Sequence, residues 1–322
     1  MQSSGSFDPT TLANPLWFSS GRNDSLYVEA YELALVPNIV SRKIFRFDEI
    51  VVLIKTAKLD YIEMSGVKVK FGNERQVEFS AEHRISTSEF SPKLITIQPH
   101  RSDRPDAESD LSDRSAEFVS LLVSTNYRNI ACRRLFSHIV ERGNGSMKAS
   151  GEIVRLPFDL PAPDLSLGAL SRYPKSRREI ENRESNQRQK ITLSLHWHLK
   201  GVQSHGLDSF LSLWIALETL AMSSTNVADL NSALAAAYDI TKESASTEFG
   251  IGRIFGLRSQ IVHNGIRKNI STDLTDYMEC LYADLLVHDL LGESLGRARA
   301  LLRSKKIDIE KLTSQDRLLD TP

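Results

Sequence analysis

The chain has 322 residues, of which 41% are hydrophobic and 25% are charged, with a formal net charge of -1. This composition is typical of a globular protein that folds in water, and it excludes a disordered or fibrous chain. The near-zero net charge provides no overall field that would attract polyanions, so any affinity for nucleic acid must be local. The length predicts two domains, which we place at residues 1–165 and 166–322.

The N-terminus lacks a charged start followed by an apolar core, and no apolar run approaches the roughly 20 residues of a membrane crossing. Two cysteines, Cys132 and Cys280, have no partner Cys or His at metal-ligand spacing. This spacing argues against a disulfide framework and against a structural zinc site. We therefore expect a cytoplasmic protein with no membrane association, no metal and no cofactor.

The first domain has the pattern of a sheet. From Leu26 to Gln98, short runs rich in Val, Ile, Tyr and Phe alternate with polar turns, which favours strands. Alternating apolar residues on both sides of Gly72-Asn73-Glu74-Arg75 predict a hairpin between Val67–Phe71 and Val77–Phe79.

The next two segments differ from the sheet in composition. Residues 100–115 contain almost nothing apolar and are predicted to be a mobile loop. Residues 116–140 are rich in Leu, Ile and Phe without Gly or Pro, which predicts one or two helices packed on the sheet. We expect a β-rich N-terminal domain with helices, suited to a sensor role, to substrate recognition or to binding a partner protein.

A proline-containing segment between Leu156 and Arg178 marks the domain boundary, and the chain beyond it has helical periodicity. Helices are predicted near residues 185–202, 207–222, 228–238, 246–264, 272–291 and 294–304. The second domain is therefore predicted to be an all-α bundle with short connections, and the fold class of the whole chain is predicted to be α+β.

One helix of this bundle carries a carboxylate among apolar side chains. The segment LDSFLSLWIALETLAM, residues 207–222, is apolar on nearly every side, which predicts a central position in the bundle. Glu218 interrupts it, and a carboxylate buried there is costly unless a cation or strong donors meet it. We expect Glu218 to have a cationic partner.

The best candidate partner lies in GRIFGLRSQIVHNG, residues 252–265, where Arg258 and His263 interrupt an apolar face that includes Phe255 and Val262. A spacing of five residues places Arg258 and His263 about 140° apart on a helix, so we expect them to flank a groove. Asn264-Gly265 predicts the helix C-terminus, where unpaired carbonyls favour a protonated imidazole. Histidine can act as general acid or base, and arginine can hold a phosphate.

The motif LRSQIVHNG, residues 257–265, together with FLSLWIALETL, residues 210–220, resembles the HEPN superfamily and, within it, the ApeA-like HEPN domains. The resemblance covers roughly residues 186–291, and the superfamily signature of Arg, four to six residues, then His occurs as Arg258 to His263. Many members have Asn, Asp or His directly after the Arg, where this chain has Ser259. Toxins paired with nucleotidyltransferase antitoxins tend to have a Tyr where this chain has Gly265, so that subtype is not favoured.

The resemblance implies a metal-independent endoribonuclease that acts on RNA, usually as a homodimer with the site across a two-fold axis. Arg258 and His263 would take the catalytic roles, and Glu218, Ser259 and Asn264 would support them. The resemblance also implies a role in defence against phage or other invaders. The alternative to an active endoribonuclease is a catalytically inactive HEPN-like module that binds RNA or a protein and dimerises.

Other residues have competing interpretations. Arg258, His263 and Glu218 could instead form a structural ion-pair network, since such networks perturb pKa values as active sites do. The following basic residues could contact RNA but are also typical of a solvated linker and helix start: Arg177, Arg178, Arg267 and Lys268. His196 and His198 are interpreted as packing or surface residues, and Trp197 and Trp214 as core anchors rather than base-stacking platforms.

Overall fold

The structure is a computed structural model. It describes residues 25–33, 43–47, 50–54, 61–64, 67–72, 77–78, 84–86, 94–100, 107–126, 132–141, 147–149, 167–223, 226–265, 269–306 and 309–314. The chain divides into two compact units, the first taking residues 1–115 and 132–164 and the second residues 116–131 and 165–322. The predicted boundary after residue 165 stays a prediction.

In the residues of the first unit that the structure describes, the backbone forms ten short strands, which pair in two sheets. The strands are β1 Ser25–Leu33, β2 Lys43–Phe47, β3 Ile50–Ile54, β4 Tyr61–Met64, β5 Val67–Gly72, β6 Val77–Glu78, β7 Arg84–Ser86, β8 Leu94–His100, β9 Cys132–Glu141 and β10 Met147–Ala149. One sheet has the order β10-β9-β1-β8-β3-β2 and the other β4-β5-β7-β6. Neighbours pair antiparallel except β5 and β7, which are parallel.

A buried carboxylate organises the side chains that are described in the first unit. Glu29 is fully buried and accepts hydrogen bonds from the hydroxyls of Tyr27 (2.5 Å), Tyr31 and Ser112 (2.8 Å). Arg134 lies 3.5 Å from the same carboxylate. Burial and the neighbouring carboxylate raise the pKa of both tyrosine hydroxyls, so both remain donors at neutral pH and satisfy the buried charge.

The helices follow the predicted periodicity in the second half of the chain. They are α1 Ala107–Ser124, α2 Leu167–Asn182, α3 Ser185–Gln203, α4 Gly206–Ala221, α5 Val227–Tyr238, α6 Lys242–Phe249, α7 Ile251–Asn264, α8 Thr272–Leu291, α9 Arg297–Lys305 and α10 Ile309–Ser314. The division between the units falls inside α1, after Ser115. In the part of the chain described here, no helix is long and apolar enough to cross a membrane.

Helices α8 and α4 form the centre of the second unit. Thirteen of the 20 residues of α8 are buried, and on α4 the side chains of Phe210, Leu213, Trp214 and Leu217 are at most 1% exposed. A helix that is apolar on most sides lies inside a bundle. The central position predicted for the 207–222 helix is therefore confirmed.

A single carboxylate connects three helices of this core. Asp284 on α8 accepts hydrogen bonds from the backbone N–H groups of Arg297 and Ala298, both at 2.9 Å, and from the Tyr238 hydroxyl. Arg297 and Ala298 are the first two residues of α9, whose first N–H groups have no partner within the helix. The carboxylate of α8 therefore fixes the start of α9 and its position against α5.

The Arg297 side chain is also buried, with 1% exposure, and lies 3.6 Å from Glu279. It donates hydrogen bonds to the carbonyl oxygens of Ser124 (3.4 Å) and Asn126 (3.1 Å) at the end of α1. Burial raises the pKa of Glu279 to about 8, against the opposing effect of Arg297. This network connects α1, α8 and α9 within the second unit.

His198 on α3 is fully buried. Its Nδ1 lies 2.8 Å from the hydroxyl oxygen of Ser120, and its ring stacks on Tyr282 with centroids 4.3 Å apart. Burial, and then the charge of Arg297, lowers the pKa of His198 to about 3. His198 is therefore neutral at physiological pH, and its interpretation as a packing residue is confirmed, while His196 is exposed.

The predicted fold class, α+β with a β-rich N-terminal domain, is wrong. Where side chains are described, 81% of residues are helical, and no strand occurs among the described residues from 167 to 314. The strands of the first unit are described mainly through their backbone pairing. The fold class that the structure supports is therefore helical.

Several predicted elements also need correction. The loop predicted at residues 100–115 contains the start of α1, because its few apolar residues include Leu111, which is buried. The helical prediction for residues 116–140 holds only to Ser124, after which residues 132–140 form strand β9. The predicted hairpin is wrong, since β5 and β6 both pair with β7 instead of with each other.

The helix predicted at residues 246–264 is two helices. Gly250 ends α6 and begins α7 with φ 58°, a left-handed conformation that favours glycine. A Cβ at this position would also collide with the side chain of Ile309. The remaining helices are confirmed: α3, α4, α5, α8 and α9 lie within a few residues of their predicted bounds.

Replacing Asp284 tests the carboxylate that connects α5, α8 and α9. Asp284→Ala removes the acceptor of two buried N–H groups and one hydroxyl, so we expect the free energy of unfolding to fall by about 3 kcal/mol or more. Asp284→Asn keeps one acceptor oxygen and should lose less. Urea unfolding followed by circular dichroism measures both variants, and an equal loss in the two would contradict this role.

A pH series tests the buried imidazole. Because the unfolded His198 takes up a proton below its ordinary pKa of 6.5 and the folded one only near 3, its contribution to stability is constant above pH 6.5 and falls as the pH drops towards 3. The advantage of the wild type over His198→Gln should shrink by about 2 kcal/mol from ~pH 7 to ~pH 5. A difference that does not vary with pH would show that His198 is not held neutral.

Candidate functional site

Two side-chain contacts connect helices α4 and α7. The rings of Trp214 on α4 and Phe255 on α7 have centroids 5.9 Å apart. About one turn further along both helices, Arg258 Nη2 lies 4.0 Å from Glu218 Oε2. The predicted cationic partner of Glu218 is therefore Arg258. Glu218 is not sealed in the core, since its side chain is 25% exposed.

Arg258 also contacts the histidine of its own helix. Its Nη1 lies 3.2 Å from Nε2 of His263, although a spacing of five residues separates the two Cα atoms by about 140° around the axis. The long arginine side chain spans this angle. The polar ends of the two side chains therefore touch, while the groove that we expect them to flank stays a prediction.

The contact determines which hydrogen-bonding role Nε2 of the imidazole has. A guanidinium has only donors, so Nε2 of His263 accepts the hydrogen bond from Arg258, and a ring nitrogen that accepts carries no proton. His263 is exposed, whereas the Arg258 side chain is 24% exposed. The arrangement therefore presents an accepting nitrogen and a charged donor together, within reach of solvent.

The end of α7 places His263 in the last helical turn. The helix ends at Asn264, and Gly265 follows in the left-handed conformation with φ 64°, its N–H donating to the carbonyl of Gln260. This confirms the C-terminus predicted from Asn264-Gly265. Because the last carbonyls of a helix lack partners inside it, the imidazole lies beside a region of partial negative charge.

The other predicted supporting residues are not brought into the cluster. Ser259 is half-buried and Asn264 is exposed on α7. In the described part of the chain, neither forms a hydrogen bond to Arg258 or His263 that would support the site. Arg258, His263 and Glu218 are the predicted site residues that the structure brings together.

The basic residues predicted to contact RNA lie away from Arg258 and His263 or outside the described residues. Arg177 donates to the carboxylates of Glu117 and Glu181, and Arg178 is exposed. Both belong to helix α2, so the linker predicted there is wrong. Arg267 and Lys268 lie outside the described residues.

An exposed valine borders the cluster. Val262 was predicted on the apolar face of the helix, but 47% of its surface is exposed, whereas Ile254 and Ile261 of the same helix are buried. Sequence periodicity could not show this, because Val262 is adjacent to the buried face and has the same hydrophobic character. Within the described ranges, no group of three or more His, Cys, Asp or Glu is placed to hold a metal ion.

Comparison with known proteins finds no family model, no curated protein and no solved structure that matches the chain. The HEPN resemblance therefore depends on the residues of α4 and α7 alone.

Replacing Glu218 tests whether the cluster maintains the fold. A half-exposed ion pair at 4.0 Å contributes little to stability, so Glu218→Gln should lower the free energy of unfolding by less than ~1 kcal/mol. Leu217→Ala, at the neighbouring buried position, should cost about 2–5 kcal/mol. Urea unfolding compares them. A loss for Glu218→Gln as large as that for Leu217→Ala would identify a structural pair.

Proposed function

We propose that this protein is a metal-independent endoribonuclease of the HEPN type, with Arg258 and His263 as its catalytic residues. The observation that carries the proposal is the 3.2 Å contact between Arg258 Nη1 and His263 Nε2 on a helix whose sequence has the superfamily's Arg-to-His spacing. Both groups needed to cleave RNA without a metal, a proton acceptor and a fixed positive charge, are present at one solvent-reachable place.

In the proposed reaction, the Arg258 guanidinium moves from His263 Nε2 to the phosphate, and the freed nitrogen takes the proton of the ribose 2′-hydroxyl as its oxygen attacks the adjacent phosphorus. The bond from phosphorus to the 5′ oxygen breaks, that oxygen takes a proton from a solvent water molecule, and the protonated His263 returns its proton to the hydroxide that is left. The products are a 2′,3′-cyclic phosphate and a 5′-hydroxyl. Arg258 stabilises the negative charge that develops on the phosphate oxygens, since a guanidinium matches phosphate geometry and remains charged.

Glu218 acts as a positioning residue in this proposal. Its carboxylate lies 4.0 Å from Arg258 and limits the orientations of the guanidinium. The supporting roles of Ser259 and Asn264 remain proposals from the resemblance alone. RNA contacts by Arg177, Arg178, Arg267 and Lys268 are proposed from the positive charge of these residues.

The resemblance also leads us to propose a homodimer, and the exposed Val262 next to His263 supports a contact surface at this edge of the site. Cys132 and Cys280 are both buried, and we propose a reducing, cytoplasmic compartment from the spacing of the two cysteines in the sequence. A role in defence is proposed from the resemblance, and a partner protein bound through the N-terminal half is proposed from the strand-like pattern of that half.

A second candidate is a catalytically inactive module of the same kind that binds RNA or a protein. The residue that favours it is Ser259, because many HEPN members have Asn, Asp or His at this position. In that case Arg258 would bind phosphate without turnover.

An RNA cleavage assay distinguishes the two candidates. End-labelled RNA is incubated with the full chain in EDTA, and we expect Arg258→Ala and His263→Ala each to lower the cleavage rate by about a hundredfold or more. Arg253→Ala is the matched control, because Arg253 is an exposed arginine of the same helix that pairs with Glu310. Its rate should stay within about twofold of wild type.

The proposal fails if cleavage requires a divalent metal or if it survives both substitutions. RNA binding that depends on Arg258 without any cleavage would identify the inactive module.

A further inference from the structure

The solvent-facing side of helix α3 carries an unusual set of residues. Leu193 is 51% exposed and is, with Val262, one of two large exposed hydrophobic residues in the described part of the chain. His196 and Lys200 are exposed, and Trp197 is half-buried. At 100° per residue these four positions span about 100° of the helix surface. We call Leu193, His196, Trp197 and Lys200 the α3 platform.

The indole of Trp197 is part of this surface and not of the core. The Lys200 ammonium lies 4.7 Å from its ring centroid, and the His196 ring meets it edge-on at 6.1 Å. The prediction that Trp197 is a core anchor is therefore wrong, whereas for Trp214, which is fully buried, it is confirmed. Lys200 follows Trp197 by three residues, a spacing visible in the sequence that places both on one face.

The charge of helix α3 differs from that of the whole chain. Its segment SNQRQKITLSLHWHLKGVQ contains Arg188, Lys190 and Lys200 and no acidic residue, although the whole chain has a net charge of -1. Of these cations, Lys200 belongs to the α3 platform, whereas Arg188 lies on another side of the helix and Lys190 donates to the carbonyl of Met222. Two copies that met through this face would bring their Lys200 ammonium groups together, which is unfavourable. A polyanion with flat, stackable groups complements both the charge and the aromatic ring.

The α3 platform and Glu218 lie at similar heights along the bundle, although Glu218 follows Ser209 by nine residues, or about 180° around α4, and so faces away from α3. Lys190 Nζ donates to the carbonyl of Met222 at 2.8 Å, and Ser209 Oγ donates to the carbonyl of Gly201 at 2.8 Å. These two bonds fix α3 and α4 as antiparallel neighbours. The register places Trp197 about one turn, or about 5 Å, from the level of Glu218 along the helix axes.

We propose that the α3 platform binds single-stranded RNA. A base stacks on the Trp197 indole, and Lys200 leaves the ring to pair with a neighbouring phosphate, while Leu193 provides apolar contact beside them. This inference rests on the proposed function for the identity of the ligand, which is RNA. It adds a substrate-binding surface outside Arg258 and His263.

Binding of an RNA that cannot be cleaved tests the platform apart from catalysis. The probe is fluorescein-labelled 2′-O-methyl oligouridylate, which lacks the attacking hydroxyl, and its anisotropy is measured with the full chain in EDTA at low salt. We expect Trp197→Leu to weaken binding by about tenfold, and Trp197→Phe to retain most of it, because stacking contributes this much per base. Lys200→Gln should lower the slope of the logarithm of the binding constant against the logarithm of the salt concentration by about one, which corresponds to the loss of one phosphate contact.

Lys242→Gln is the matched control, since Lys242 is exposed on α6, and it should bind as the wild type does. The inference is overturned if Trp197→Leu binds within about twofold of wild type, or if the wild type does not bind the probe. A Trp197→Leu variant that loses self-association but keeps RNA affinity overturns it in favour of a second copy. If Trp197→Leu fails to fold, the probe affinities of Lys200→Gln and Trp197→Phe test the inference in its place.

If the protein binds the probe through Trp197 but does not cleave RNA, the catalytic proposal fails and the α3 platform stands. If it cleaves RNA but binding does not depend on Trp197, the α3 platform fails and the catalytic proposal stands.

Discussion

A guanidinium donates hydrogen bonds and accepts none, and this property of Arg258 determines the chemistry of the cluster on α7. The histidine nitrogen that it contacts at 3.2 Å must accept, so it carries no proton and can take one once the guanidinium moves to the phosphate. The same guanidinium lies 4.0 Å from Glu218 on α4. Arg258 therefore connects the two helices, orients the imidazole and provides the positive charge.

The groups with the most perturbed pKa values lie away from this cluster. Burial raises the pKa of Glu279 to about 8 and lowers that of His198 to about 3, yet both side chains are enclosed by α1, α3, α8 and α9 within the second unit. A substrate cannot reach such groups, and their partners explain them as structural. The candidate site is instead identified by geometry, exposure and the chemistry of its side chains.

The helical periodicity of the second unit could be predicted because apolar positions recur at the helical spacing and capping residues mark the ends. Gly265 ends α7 where expected. The division of residues 246–264 at Gly250 was missed because glycine is tolerated inside helices, and only the contact with Ile309 shows why the chain turns there.

Predictions that depend on where the ends of side chains lie succeeded less often. The Arg258–His263 contact was missed because helical angles locate Cα atoms but not the ends of long side chains. The surface position of Trp197 was missed because a large aromatic residue has the same periodicity whether it is buried or covered by a lysine. The fold class was wrong because strand-like alternation was weighed by the length of sequence that shows it, whereas 81% of the residues whose side chains are described are helical.

Product analysis tests the catalytic claim most directly. The substrate is a deoxyoligonucleotide with one internal ribonucleotide, incubated with the full chain in EDTA and analysed by mass spectrometry. If Arg258 and His263 catalyse attack by a 2′-hydroxyl, cleavage occurs after the single ribonucleotide and leaves a 2′,3′-cyclic phosphate, and the all-deoxy strand stays intact. Cleavage of the all-deoxy strand, or a 3′-hydroxyl product, would contradict the proposed mechanism.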